Sequence, residues 1–434
     1  MSKTLFSLTS GLVACILAVP VYAFDLSEAW HAARQFNADY AAARAERDAG
    51  LESVAQGRAG LLPQVHLESF YLNFEPKKRE ERHHHPERHG YEVKLRQPLF
   101  DVGKYVGYQK GKLRTQLAAT QFTISEQKLL AELLRAYFDV LLEKDKLAAV
   151  TASKKALSNA LEQNKLKFEV GVASILDVNE AQASYDGAVA KEIAAQNALA
   201  LRRQHLQQLT GLDPDQVEPV ARDVVHALPP ITKLDNLLAN ALSSSADILA
   251  EKQALALARQ DVTEKKGGHL PTLSMTLSYR DHRRAPFDRG GSTGSAGGVE
   301  FNLPLFSGGG VRSQVREALA REEAARAKLE GKERQVREEI HKAFDEITGG
   351  ASLIYAQKLR VVSAKSQLDS TVLAREVGLR TTLDFLQAEK VYYDALSSQA
   401  EAKYSYLIAH VQLARAAGTL DEALLEKINT ALKN

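Results

Sequence analysis

The sequence predicts an α+β membrane protein built as an internal tandem duplication, each copy carrying two short strands and two very long helices. Three observations predict it. First, Leu61-Leu62-Pro63-Gln64 recurs as His269-Leu270-Pro271-Thr272, Pro98-Leu99-Phe100 as Pro304-Leu305-Phe306, and Phe168-Glu169-Val170-Gly171 through Asp177 as Arg375-Glu376-Val377-Gly378 through Asp384, all at offsets of 206 to 208 residues. Three ordered recurrences at nearly one spacing mark a duplication. Second, the short segments between helical stretches alternate apolar and polar side chains, as strands do when one face meets lipid and the other water. Third, Gly103 to Phe168 contains no proline, so about 60 residues run helically over roughly 90 Å.

At the N-terminus, Lys3, the apolar run Leu5–Val19 and Val21-Tyr22-Ala23 form a secretory signal peptide over residues 1–23, with cleavage after Ala23. Leu12-Val13-Ala14-Cys15 has the shape of a lipoprotein cleavage box, an alternative that would leave Cys15 lipidated. No later stretch of 18 apolar residues occurs, so any membrane span is made of strands. The 56 Lys and Arg against 54 Asp and Glu are interspersed, with no basic face for nucleic acid. Cys15 is the single cysteine, so a chain lacking the leader has no disulfide, thiol nucleophile or cysteine metal site.

The first repeat spans 24–210, with a helix, strands at about 61–74 and 90–100, and long helices at 103–168 and 173–210. Tyr91, Val93 and Leu95 alternate with Glu92, Lys94 and Arg96 in the second strand. In the first strand the apolar set shifts phase near Ser69, from Val65 and Leu67 to Phe70, Leu72 and Phe74, which suggests a bulge. Residues 211–232, with Pro214 and Pro229-Pro230, divide the copies. The second repeat spans 233–418, with strands at about 270–281 and 297–306 and long helices at 311–374 and 381–417, and residues 419–434 follow it. Leu273, Met275, Leu277 and Tyr279 alternate with Ser274, Thr276, Ser278 and Arg280, and Val299, Phe301 and Leu303 with Glu300 and Asn302. Gly349-Gly350 falls inside the third long helix and suggests a joint between two stacked helices. Seven-residue spacing through Leu130, Tyr137, Ile340, Ile347, Leu386, Tyr393, Ala400 and Leu407 calls for side-by-side coiled-coil packing.

A transmembrane sheet must close so that no backbone edge faces lipid, and about eight strands make the smallest closed barrel. Four strands per chain cannot close alone. Several copies pooling their strands can.

These features resemble the TolC-like outer-membrane factor family over nearly the whole chain after the leader. The residues that carry the likeness are Asp25-Leu26-Ser27-Glu28-Ala29, Leu61-Leu62-Pro63-Gln64, Gln97-Pro98-Leu99-Phe100 and Val377-Gly378-Leu379-Arg380-Thr381-Thr382-Leu383-Asp384. The resemblance implies a homotrimer whose 12 strands form one barrel in the outer-membrane lipid of a Gram-negative cell, continuous with a tapering α-helical barrel in the periplasm. It implies the exit duct of a type I secretion system or drug efflux pump, worked by an inner-membrane ABC or proton-driven transporter through a periplasmic adaptor (membrane fusion) protein. It also implies equatorial segments at 211–232 and 419–434.

Gly171 and Gly378 break the long helices where the chain must reverse, and Asp177 and Asp384 follow at equivalent points. By resemblance the second turn forms a periplasmic gate, with Arg380 and Asp384 ringing the mouth and Asp177 the acidic partner on the first copy. Arg375 stands where well-known members have a Tyr bonded to that acidic residue, which suggests an Arg375–Asp177 ion pair. Gln387 stands where they have a second Asp, removing charge from the inner ring.

Other signals carry less. His83-His84-His85 with His89 sit in a charged loop between strands, and functional metal binding is not expected there. Gly290-Gly291-Ser292-Thr293-Gly294 fits a hydrolase nucleophile pattern, but a glycine and serine-rich loop between strands lacks the required strand-turn-helix context. No phosphate-binding glycine loop is present, so the chain does not hydrolyse ATP by that route, and with no catalytic motif in place neither enzyme activity nor a cofactor is expected. An exported coiled-coil scaffold or adhesin, and an ungated porin, remain as alternatives.

Overall fold

The computed structural model describes residues 24–72, 88–218, 233–284 and 292–433. Residues 1–23 with Cys15, the His83–His85 run, Pro229-Pro230 and Gly290-Gly291 lie outside the described residues.

Helices α1 (Leu26–Phe36), α2 (Ala38–Leu51) and α3 (Ser53–Ala59) lead into β1 (Gln64–Leu72) and β2 (Arg88–Phe100). Two helices, α4 (Val102–Glu169) and α5 (Ile175–Thr210), complete the first half. The second half repeats the order with α6 (Leu234–Ser244), α7 (Ala246–Gly267), β3 (Thr272–Arg284), β4 (Ser292–Asn302), α8 (Gly310–Glu376) and α9 (Thr382–Ala416), and α10 (Glu422–Lys433) follows. Helix α4 has 68 residues and α8 has 67, each spanning roughly 100 Å. None of the described helices is long and apolar enough to cross a membrane.

The strands form one antiparallel sheet in the order β1-β2-β3-β4, so β1 and β4 are its edges and β2 joins the two halves. Cross-strand partners share a face. Val65, Leu67, Tyr91, Val93, Leu277, Tyr279, Val299 and Phe301 make an exposed apolar face. The other face is polar, with Arg280 donating to Glu92 at 2.8 Å and Arg96 4.0 Å from Glu300.

Three expectations are corrected. The phase change at Ser69 is not a bulge, because β1 and β2 pair without a break from Gln64–Arg96 to Leu72–Arg88. Phe70 stays on the polar face, where both it and His282 pair with Gly90, and their rings meet at 4.9 Å over that glycine. The irregularity falls instead between Pro98 and Phe100, where proline has no N–H for the ladder. Strand β4 begins at Ser292, ahead of its expected start, because the β3 ladder carries it through Gly294, Gly297 and Gly298, and Gly297 leaves room for the Leu277 side chain. Gly349-Gly350 makes no joint, since α8 runs through it, and Gly350 lets α8 approach the Tyr406 ring on α9.

The main core lies midway along the helices. Leu130, Leu133, Leu134, Tyr137, Phe138 and Leu141 form one stripe of α4, packed against Trp30 of α1, Leu206 of α5, Ile340 and Ile347 of α8, and Tyr404 and Leu407 of α9. Here α1 and α10 meet. Phe24 bridges Val217 in a short parallel pair, and Asn429 of α10 accepts from the Leu26 N–H and donates to Asp25. Beyond this layer α4 pairs with α5 and α8 with α9, and α4 packs on α9. A smaller cluster of Leu157, Ala160, Ala188, Leu368, Phe385, Leu386 and Ala388 fills the seam toward the turns.

Candidate functional site

The site lies at the turns farthest from the sheet. Each long helix ends the same way. Gly171 has φ 75° and Gly378 φ 78°, a left-handed conformation that glycine adopts without penalty from a side chain. The Val172 N–H donates to the Lys167 carbonyl at 2.7 Å and the Leu379 N–H to the Ala374 carbonyl at 2.8 Å, the six-to-one bond that closes a helix C-terminus.

The next helix starts within a few residues because a capping box waits there. The Ser174 hydroxyl accepts from the Asp177 N–H while the Asp177 carboxylate accepts from the Ser174 N–H, and Thr381 and Asp384 repeat the arrangement. These bonds hold both carboxyls below the usual range. For Asp177 the Ser174 hydroxyl and N–H act most, and for Asp384 the Thr381 N–H and hydroxyl, with Arg380 adding less. Arg380 lies 3.6 Å from Asp384 in an exposed pair. Gln387 points to solvent on α9. Around these charges Val170, Val172, Ile175, Leu176, Val377, Leu379 and Leu383 are exposed.

Arg375 does not pair with Asp177, whose carboxylate is committed to its own cap. The guanidinium of Arg375 instead lies over the Phe385 ring, 4.3 Å from its centroid, and donates to Oε1 of Gln163 on α4 at 2.8 Å. It thereby ties the second helix pair to the first. Burial pulls its pKa down.

Sequence reasoning missed the polar residues in this seam. Glu389 on α9 is 1% exposed, and neither carboxylate oxygen has a hydrogen-bond partner among the described residues. Burial pushes its pKa up to about 8, against a smaller downward pull from Arg375. Asn164 on α4 is buried beside Thr382, whose hydroxyl lies 3.5 Å from Oδ1, and its Nδ2 has no partner among the described residues. A signal existed: Glu389 falls three residues after Leu386 and seven after Thr382, on the stripe that faces the core.

The hydrolase pattern gains no support, since Ser292 to Gly294 lie at the start of β4 and not at a strand-to-helix turn. His89 stands on β2, and no group of three metal-binding side chains occurs among the described residues.

The family model for outer membrane efflux proteins matches residues 29–212 and 237–419. The chain is 31% identical to the outer membrane protein TolC of Salmonella enteritidis over 99% of this chain and 89% of that one. It is 29% identical to the proteases secretion protein PrtF of Dickeya chrysanthemi over 92% of this chain and 89% of that one. Its fold matches the crystal structure of the outer membrane protein VceC from Vibrio cholerae, with a TM-score of 0.79 at 18% identity, covering 91% of this chain and 96% of that one.

Proposed function

Since the chain belongs to the outer membrane efflux protein family, we propose that it is the exit duct of a tripartite transport system, a homotrimer pooling 12 strands into one barrel above a tunnel of long helices. The observation that carries this reading is the four-stranded sheet, apolar on one face and polar on the other, with open edges at β1 and β4. In lipid those edges would expose unpaired N–H and C=O groups, so sheets from neighbouring copies must satisfy them. The apolar face then meets acyl chains, and the polar face with Glu92, Arg96, Arg280 and Glu300 lines a water-filled lumen.

Below the barrel, the helices carry the lumen through the periplasm to the turns. There Arg380, Asp384 and Asp177, three of each, surround a mouth that is held shut at rest and opened by a partner. Exposed ion pairs are individually weak, so such a ring holds the mouth and still yields readily. The exposed valines and leucines beside the charges suit contact with a periplasmic adaptor. Flow is passive, and the inner-membrane transporter selects the cargo. Likeness to PrtF supports a secreted protein as one cargo class.

The test is detergent-solubilised protein in planar bilayers. A gated trimer gives small resting currents that grow when Arg380 is replaced by Ala. Large open currents from the unaltered chain would indicate a porin, and a detergent-free soluble monomer would exclude the barrel.

A further inference from the structure

We infer that a basic groove on the lumenal side of the helices, midway between the sheet and the turns, grips acidic stretches of extended polypeptide in passage. The inference rests on the duct reading above and names the chemistry of the cargo segment that this level of the tunnel holds.

The groove runs over α9, between α4 and α8, and has a volume of about 390 Å³. Ala131, Ile408 and Val411 make its apolar floor. Around it stand Lys128 and Arg135 of α4, Lys342 of α8 and Arg415 of α9, all exposed. Two carboxylates share the lining and both have neighbours of their own. Glu132 lies 3.9 Å from His205, and Glu339 accepts from the Gln335 side chain at 2.9 Å. Lys342 has Glu346 at 3.9 Å, whereas Lys128, Arg135 and Arg415 form no ion pair among the described residues. The groove therefore carries an excess of positive charge that nothing within the chain neutralises.

The core fixes which side of the helices this is. Leu130, Leu133 and Tyr137 belong to the cluster that takes in Trp30 of α1 and Leu425 of α10. Lys128 stands two residues before Leu130 and Arg135 two residues after Leu133, just over half a turn away, so both lie on the opposite side of α4. Three copies of α1, α6 and α10 placed within a ring of long helices would fill its bore. Those helices stand outside the ring, and the groove looks into the lumen. The helices run in the order α5-α4-α9-α8 at this level, so copies meet at α5 and α8, and each groove is complete within one copy.

Spacing favours polypeptide over a small anion. Lys128 and Arg135 are separated by about 10 Å along α4, and a small anion meets one of them at a time. An extended chain covers that span in about three residues, reaching both cations while its apolar side chains rest on Ile408 and Val411. Each contact is solvent-exposed and hence weak, so a segment is held and then released. The groove detains acidic stretches and leaves the choice of cargo to the transporter.

The test adds peptides to the barrel side of single channels in planar bilayers, where they reach the groove without passing the turns, and reads the dwell time of current blocks. It uses the unaltered chain and Arg380→Ala, whose larger current makes blocks easier to resolve. A peptide of repeated Glu, Ser and Leu is expected to block, and a peptide of equal length with Lys in place of Glu is not. Arg135→Gln combined with Arg415→Gln should shorten the acidic dwell by at least about fivefold, and molar salt should do the same. Glu132→Gln should lengthen it. These side chains sit at the surface, so the variants fold. Dwell times that ignore all three substitutions, or equal blocks by the basic peptide, would overturn the groove. Full competition by free glutamate at the same carboxylate concentration would reduce it to a small-anion site and overturn the polypeptide assignment. Channels that conduct but show such dwell times remove the groove alone; absence of channel current from every variant removes the duct reading and the groove together.

Discussion

Gly378 and Gly418 both adopt left-handed backbone, at φ 78° and 71°, yet an added methyl group should affect them very differently. At Gly378 a Cβ would meet nothing within 4 Å, so Gly378→Ala should cost only the left-handed penalty, about 1–2 kcal/mol. At Gly418 a Cβ would lie 2.5 Å from the Ser244 carbonyl oxygen, 2.7 Å from its carbon and 2.9 Å from the Ser245 nitrogen. Those are backbone atoms at the junction of α6 and α7, which cannot turn aside. The end of α9 must shift instead, straining the bond from the Ser244 hydroxyl to the Ala417 carbonyl. Overpacking of this kind adds about 1–3 kcal/mol, so Gly418→Ala should lose roughly 2–5 kcal/mol in all. The assay is guanidinium unfolding in detergent followed by the fluorescence of Trp30, the single tryptophan, which is buried in the same layer. Equal losses for the two variants, or a greater loss for Gly378→Ala, would refute the steric reasoning.

Glu389 should make stability fall with pH. Its folded pKa of about 8 stands above the ordinary carboxyl value of 4.5, so the folded seam keeps a proton that the unfolded chain releases. Stability should therefore decline as pH rises from about 4.5 to about 8 and level off above, and Glu389→Gln should remove that decline in unfolding midpoints taken at pH 5 and pH 9. Arg380→Ala should raise the resting open fraction by at most about a hundredfold, as three weak exposed pairs lost together dictate, and the gain should shrink in molar salt. Tyr404→Phe should cost about 1–3 kcal/mol in chemical unfolding, because the buried hydroxyl donates to Asp145 at 3.0 Å.

The architecture was legible because it rests on periodicity and punctuation. Alternation in β2 and β3, the proline-free run of α4 and the paired Val-Gly turns each reflect a local physical preference. Errors arose where a glycine or aromatic serves a neighbour distant in sequence. Gly349-Gly350 looked like a break because the approach of Tyr406 lies on another helix, and Phe70 looked like a slip because Gly90 and His282 are what give it room. At the turns, Asp177 and Asp384 stood out by position, but capping geometry commits Asp177 to Ser174 and leaves Arg375 to find Gln163. Glu389 escaped notice because a lone charge in an apolar stripe is conspicuous only once the stripe is known to be buried.

The hydrogen bonds from Asn429 to Asp25 and Leu26 join residues more than 400 positions apart. Helix α1 therefore has to wait for α10, about 400 residues later, to emerge before it can be fastened down. Until then its apolar side, with Leu26, Ala29 and Trp30, stays available to chaperones and proteases. A nonsense mutation just ahead of α10 should thus be felt first at α1, as rapid degradation of the product.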